Sequence, residues 1–110
     1  MAIHTIRLRA PWKREREEDR LVWRRAFGCP TNLSEQETVD LVLRSDSATA
    51  LAMLNGNLLG PAPAVYDVTT SLKTRNTLTL SILRADETEE EGREPPFDVR
   101  LEIKTQERSR

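Results

Sequence analysis

Residues 97–104 place Phe97, Val99, Leu101 and Ile103 in strict alternation with Asp98, Arg100, Glu102 and Lys104. Successive side chains of an extended strand point to opposite faces, so this pattern makes a strand with one dry and one ionic side. A dry sheet face needs a second layer to cover it, which constrains the chain to a sandwich or a closed barrel. The same alternation recurs where Val39, Leu41 and Leu43 interleave with Thr38, Asp40 and Arg44, Val42 being the exception on the outer side. It recurs again where Leu78, Leu80 and Ile82 interleave with Thr77, Thr79 and Ser81, a hydroxyl-rich outer face suited to an exposed sheet. Ile6 and Leu8 stand between Arg7 and Arg9 in a shorter first strand. Leu21, Trp23 and Phe27 share a face provided Arg25 lies near a strand end or extends its stem along the core.

Residues 47–54 have the best helix propensity of the chain, and Asp46 or Ser47 could cap a helix there. Ala50, Ala52 and Leu54 nevertheless also alternate with Leu51 and Met53, and the run ends in Asn55-Gly56, a strong hairpin signal. A strand is therefore expected. Turn chemistry at Pro30-Thr31-Asn32, Ser45-Asp46-Ser47, Gly60-Pro61-Ala62-Pro63 and Arg75-Asn76 separates the segments and points to an antiparallel sandwich or barrel of short strands. Two charged segments, near 13–20 and 85–96, are expected to be surface loops, because neighbouring carboxylates on a solvated loop have nothing to fix their geometry.

With 110 residues the chain is one domain, able to bury roughly two-thirds of its unfolded surface but too short for a barrel enzyme of about 250 residues. Seventeen basic and 18 acidic side chains nearly cancel, which removes the phosphate-neutralisation argument for a nucleic-acid binder despite 14 arginines. A single-stranded nucleic acid reading could use Arg7, Arg9, Arg24 and Arg25, but the interleaved acids and only five aromatics oppose it. The first residues, Met1-Ala2-Ile3-His4-Thr5-Ile6-Arg7, lack the apolar run of a signal peptide, and no segment reaches the 18 apolar residues of a membrane span. The single cysteine, Cys29, excludes an intramolecular disulfide and fits a reducing cytoplasm, where it is read as a small buried hydrophobe. One histidine, His4, and one cysteine do not make a zinc site, and no cofactor is expected.

Taken in order, the segments resemble the sugar-binding domain of family 2 glycoside hydrolases, a jelly-roll sandwich of the galactose-binding-like superfamily. The resemblance is carried by Trp23-Arg24-Arg25-Ala26-Phe27, Thr38-Val39-Asp40-Leu41-Val42-Leu43, and the stretch from Ala50 through Leu54-Asn55-Gly56-Asn57-Leu58-Leu59-Gly60. It continues through Tyr66-Asp67-Val68-Thr69 to Leu72, Asn76 and Leu78, and ends with Val99, Leu101 and Ile103. The family places a glycine two residues before that asparagine; here Thr74 stands there and the turn is a residue shorter. Asn55-Gly56 supplies the positive φ angles of a tight turn, while Asp67 and Asn76 can hydrogen-bond nearby backbone and fix corners. These residues are thus read as fold determinants. In family 2 enzymes the catalytic carboxylates lie in a separate barrel domain, so the resemblance carries no catalytic residue onto this chain and implies an accessory module.

The leading expectation is a non-catalytic binding module with carbohydrate as ligand. Sugar sites need an aromatic platform and a few fixed polar groups, for which Trp12, after Pro11, and the turn residues Asn32 and Asn57 are the candidates. Trp12 packed across the sandwich end would count against this, and Trp23 is read as core. The alternative is a protein-interaction or self-assembly module, suggested by the second apolar face that Val42, Leu51 and Met53 hint at. No nucleophile elbow, zinc, phosphate-loop or paired-acid spacing supports an enzyme.

Overall fold

The computed structural model describes residues 2–9, 11–30, 33, 35–46, 48–83 and 95–105. Among them every regular element is a strand: β1 (Ala2–Arg7), β2 (Lys13–Glu17), β3 (Arg20–Gly28), β4 (Glu37–Arg44), β5 (Ala50–Leu54), β6 (Asn57–Ala62), β7 (Ala64–Asp67), β8 (Arg75–Leu83) and β9 (Asp98–Thr105). They form two antiparallel sheets, a four-stranded one in the order β1-β9-β4-β7 and a five-stranded one in the order β2-β3-β8-β5-β6. Leaving β2 aside and counting the other eight strands in chain order, the sheets read first-eighth-third-sixth and second-seventh-fourth-fifth. That is the strand order of a jelly roll, so the expected sandwich is present with one strand added at an edge.

The inward rows are those the alternation picks out. Val39, Leu41 and Leu43 of β4 and Val99, Leu101 and Ile103 of β9 meet Leu21 and Trp23 of β3, Leu78, Leu80 and Ile82 of β8, and Ala50, Ala52 and Leu54 of β5 in one core. Val39, Ala52, Leu78 and Leu80 are entirely shielded from solvent. The segment with the best helix propensity is a strand, because pairing β5 with both β6 and β8 buries its alanines between sheets where a helix would not fit. Val42 and Val22 are also buried, yet neither belongs to the interior cluster. Val42 stands on the outer side between Arg100 and Val65, and Val22 between Glu15 and Ser81.

The structure corrects the expectation of a loop at 13–20. Residues Lys13 to Glu17 run as β2 along the edge of β3, with Lys13 opposite Arg24 and Glu17 opposite Arg20, and the chain reverses at Glu18, which has φ 54°. All five β2 side chains are exposed. Their charge reported where the side chains sit rather than the shape of the backbone, and Arg24 ties both Glu15 and Glu17 to the sheet. The other segment expected as a loop lies, apart from Pro95 and Pro96 and its last approach to β9, outside the described residues.

Candidate functional site

The polar corner residues among those that carry the family resemblance, Asn55, Asp67, Thr69 and Asn76, gather at one end of the sandwich. Asn55 and Gly56 have φ values of 53° and 84°, the two positive angles of a tight hairpin turn joining β5 to β6. The Asn55 side chain then crosses to β8, its Nδ2 donating to Asn76 Oδ1 at 3.0 Å and its Oδ1 accepting from the Thr77 amide at 2.9 Å. Asn76, 2% exposed, accepts from the Lys73 amide at 2.8 Å and donates to the Lys73 carbonyl at 2.8 Å. Three of its four hydrogen-bonding positions are thus met by protein, as a buried amide requires. Beside this node, Asp67 Oδ1 accepts from the Thr69 amide at 2.9 Å and from its hydroxyl at 2.6 Å, and Thr69 Oγ1 accepts from the Val39 amide at 2.9 Å. The two hydrogen bonds from Thr69 hold the Asp67 carboxyl below the usual carboxylate range. Asp67 and Asn76 are therefore corner residues, as the sequence suggested.

Of the residues expected to hold sugar, the two described ones, Trp12 and Asn57, are not brought together. Trp12 is 9% exposed and belongs to the core, its indole Nε1 donating to the Leu8 carbonyl at 3.3 Å. An indole face enclosed by core side chains offers no stacking platform, so this expectation is corrected: Trp12 closes the interior where the chain passes from β1 to β2. Asn57 is exposed at the first position of β6, opposite Leu54. It sits on the far edge strand from β2, about 19 Å away at four inter-strand spacings of 4.8 Å. Asn32 lies outside the described residues. Trp23 is core as expected, with its Nε1 buried without a hydrogen-bond partner among the described residues and the Arg14 guanidinium 5.7 Å from its ring.

A different concavity lies at the opposite end of the sandwich, where β1 runs out and β9 begins. Arg7, Leu8, Arg9, Phe97, Asp98 and Val99 line a cleft of about 270 Å³. Leu8 and Val99 are buried, and the Leu8 amide donates to the Val99 carbonyl at 2.9 Å, extending the β1–β9 ladder and fixing the two walls. Alternation turns Asp98 and Arg100 to the outer face, where Arg100 Nε lies 3.1 and 3.2 Å from the two Asp98 oxygens and its Nη2 2.8 Å from one of them. Arg7 Nη2 stands 3.9 Å from Asp98, and Arg44 is its register partner on β4. Hydrogen bonds from Arg100 chiefly hold the Asp98 carboxyl below its ordinary range, and the charges of Arg100, Arg7 and Arg44 act in the same direction against partial desolvation. The Arg9 carbonyl is held by Arg25 Nε at 2.6 Å, so the backbone beside the cleft is anchored to β3. Sequence reasoning noted Arg7 and Arg9 only in a nucleic-acid reading. The signal for this cleft was the meeting of an outward arginine pair on β1 with Asp98 and Arg100 on β9, visible only once those strands were known to pair.

Among the described residues no group of three histidine, cysteine or acidic side chains is placed to hold a metal ion, and no helix is long and apolar enough to cross a membrane.

No family model and no curated protein matches this chain. Among solved structures it is similar to a rhamnosidase from Novosphingobium sp. PP1Y, with a TM-score of 0.54 and 17% identity over 77% of this chain. The chain corresponds to only 11% of that protein's length. At this identity the likeness is one of fold: this sandwich has a counterpart as a small part of a much larger glycosidase.

Proposed function

We propose that this chain is a non-catalytic accessory module of the kind found beside glycoside-processing catalytic domains, with carbohydrate as its ligand. The observation that supports this reading is the jelly-roll order together with its counterpart within a rhamnosidase. The residues resembling the sugar-binding domain of family 2 glycoside hydrolases agree with it: Leu54-Asn55-Gly56, Asp67-Val68-Thr69 and Asn76 all serve the fold, which leaves chemistry to a partner domain. The ligand would enter by the cleft between β1 and β9 rather than at Trp12. At about 270 Å³ the cleft falls just below the roughly 300 Å³ at which small-molecule sites begin, so it would take no more than a single ring. On the cysteine count alone, its working compartment is a reducing cytoplasm. Isothermal titration with simple glucosides, galactosides and rhamnosides tests the reading: millimolar binding is expected, and no heat with any sugar at tens of millimolar would remove it.

A second reading, a protein-interaction or self-assembly module, is favoured by one surface. On the outer side of β5 and β6, Leu51 and Met53 stand in register with Pro61 and Leu58, and Leu58 is 65% exposed. A contiguous apolar patch beside an edge strand marks a docking surface more often than isolated exposed residues do. Light scattering from micromolar to millimolar protein decides it: a dimer broken by Leu58→Glu supports self-assembly, and a monomer throughout excludes it.

A further inference from the structure

The turn joining β5 to β6 holds a chemically reactive pair. The chain has four asparagines, Asn32, Asn55, Asn57 and Asn76, and only Asn55 precedes a glycine. An asparagine loses its amide when the backbone nitrogen of the next residue attacks its side-chain carbon, and a glycine, having no Cβ, leaves that nitrogen open. Gly56 is exposed, and a Cβ built on it would meet nothing within 4 Å, so crowding does not protect the nucleophile. The geometry of the turn does. With φ values of 53° and 84° the pair forms the mirror-image turn in which the first ψ is about +30°. That ψ sets the Gly56 nitrogen nearly opposite the Asn55 Cβ, whereas closing a five-membered ring needs the two almost eclipsed. The side chain is held as well. Its Nδ2 donates to Asn76 Oδ1 at 3.0 Å and faces the Ser71 carbonyl at 3.5 Å, and its Oδ1 accepts from the Thr77 amide at 2.9 Å. Both the peptide unit and the amide group must leave these places before the attack can occur.

We propose that Asn55 is a deamidation site that the fold keeps unreactive, and that its conversion unlatches the β5–β6 hairpin from β8. In the opened hairpin the Gly56 nitrogen bonds to Asn55 Cγ, the Cγ–Nδ2 bond breaks, and the proton lost by the nitrogen passes through water to the departing ammonia. The cyclic imide then takes up one water to give aspartate or isoaspartate. Aspartate still fits the turn, since Asp-Gly adopts the same positive angles. It nevertheless sets a carboxylate against Asn76 Oδ1 and the Ser71 carbonyl, two acceptors that the amide had faced as a donor. Asn76 cannot turn over to compensate, because its Oδ1 and Nδ2 are fixed by the Lys73 amide and carbonyl, each at 2.8 Å. Isoaspartate adds a carbon to the backbone of a two-residue turn and so breaks the register of Leu54 with Asn57. Amide loss is slow beside the opening and closing of a hairpin, so the folded chain reacts in proportion to its opened fraction. Each unfolding exposes the chain to a change that refolding does not reverse.

The test incubates the whole folded chain in mildly alkaline buffer beside the same chain in urea above its unfolding midpoint. Ion-exchange chromatography follows the added negative charge, and peptide mass spectrometry locates it. In urea Asn55 should react before Asn32, Asn57 and Asn76, and in the folded chain it should react at least about tenfold more slowly than in urea. Asn76→Ala, where circular dichroism shows it folded, should speed the reaction at Asn55 by about tenfold, because it frees one of the two anchors. Asn55→Asp, which carries the product's side chain, should lower the urea midpoint. Equal rates at Asn55 in the folded and unfolded chain overturn the shielding, and earlier reaction at another asparagine in urea overturns the site. An unchanged rate in folded Asn76→Ala overturns the part given to the anchor, and an unchanged midpoint in Asn55→Asp overturns the unlatching. If Asn76→Ala does not fold, the urea comparison and Asn55→Asp decide the matter between them.

Discussion

The two ends of the sandwich solve different problems with different chemistry. At the end formed by the β5–β6 turn and the start of β8, amides and one hydroxyl are buried or half-buried beside the exposed Asp67 carboxylate, and nearly every polar atom is matched by a named partner at 2.6–3.0 Å. At the end where β1 gives way to β9, the polar groups are charged, more exposed and unequal in number. A matched network has little capacity left for a ligand, whereas an unmatched charged one has more. The first end is thus built for stability, while the second keeps charged groups that the proposed ligand would meet.

Breaking the neutral end should give the largest effects. Asn76→Ala would strand the Lys73 amide and carbonyl and half of the Asn55 amide, costing about 3 kcal/mol, read as a lowered urea midpoint. Gly60→Ala comes next. The glycine has φ 142°, and an added Cβ would fall 2.6 Å from the Tyr66 hydroxyl, which donates to the Pro61 carbonyl. Positive φ and displacement of that hydroxyl together should cost about 2 kcal/mol. At the charged end, substitutions should barely change stability: Arg9→Gln should shift it by under about 0.5 kcal/mol while changing ligand binding.

Acidification sharpens the contrast further. The folded chain holds protons on Asp98 and Asp67 less tightly than the unfolded chain does, because arginines and Thr69 favour their ionised forms. Their stabilisation is therefore complete above the unfolded value near pH 4 and is lost as pH falls through the lower folded values. Both groups are well exposed, so urea midpoints taken between pH 6 and pH 3 should fall modestly, and less so in Asp98→Asn. The smallest effect belongs to the edge pair: Arg24→Ala, losing Glu15 and Glu17, should cost about 0.3 kcal/mol and less at high salt.

The strand alternation at 38–43, 77–82 and 97–104 made the two-layer fold legible, since period two leaves one face to bury wherever the strands end up pairing. Asn55-Gly56 likewise announced its hairpin through local backbone geometry. Two things were hidden. The edge strand β2 read as a loop because all its side chains are charged, and charge reports exposure rather than extension. The cleft was invisible because its walls, residues 7–9 and 97–99, are some ninety positions apart and meet only through the β1–β9 register. Trp12 could serve as a sugar platform only if exposed; the fold instead packs it inward, the outcome that counts against that role.

The charged strand β2 has a further consequence. It stands at one margin of a sheet, and a strand in that place is the template from which fibres grow. Five ionised side chains in a row would bring like charge against like if identical segments stacked in register. The charge on this margin thus opposes polymerisation through it.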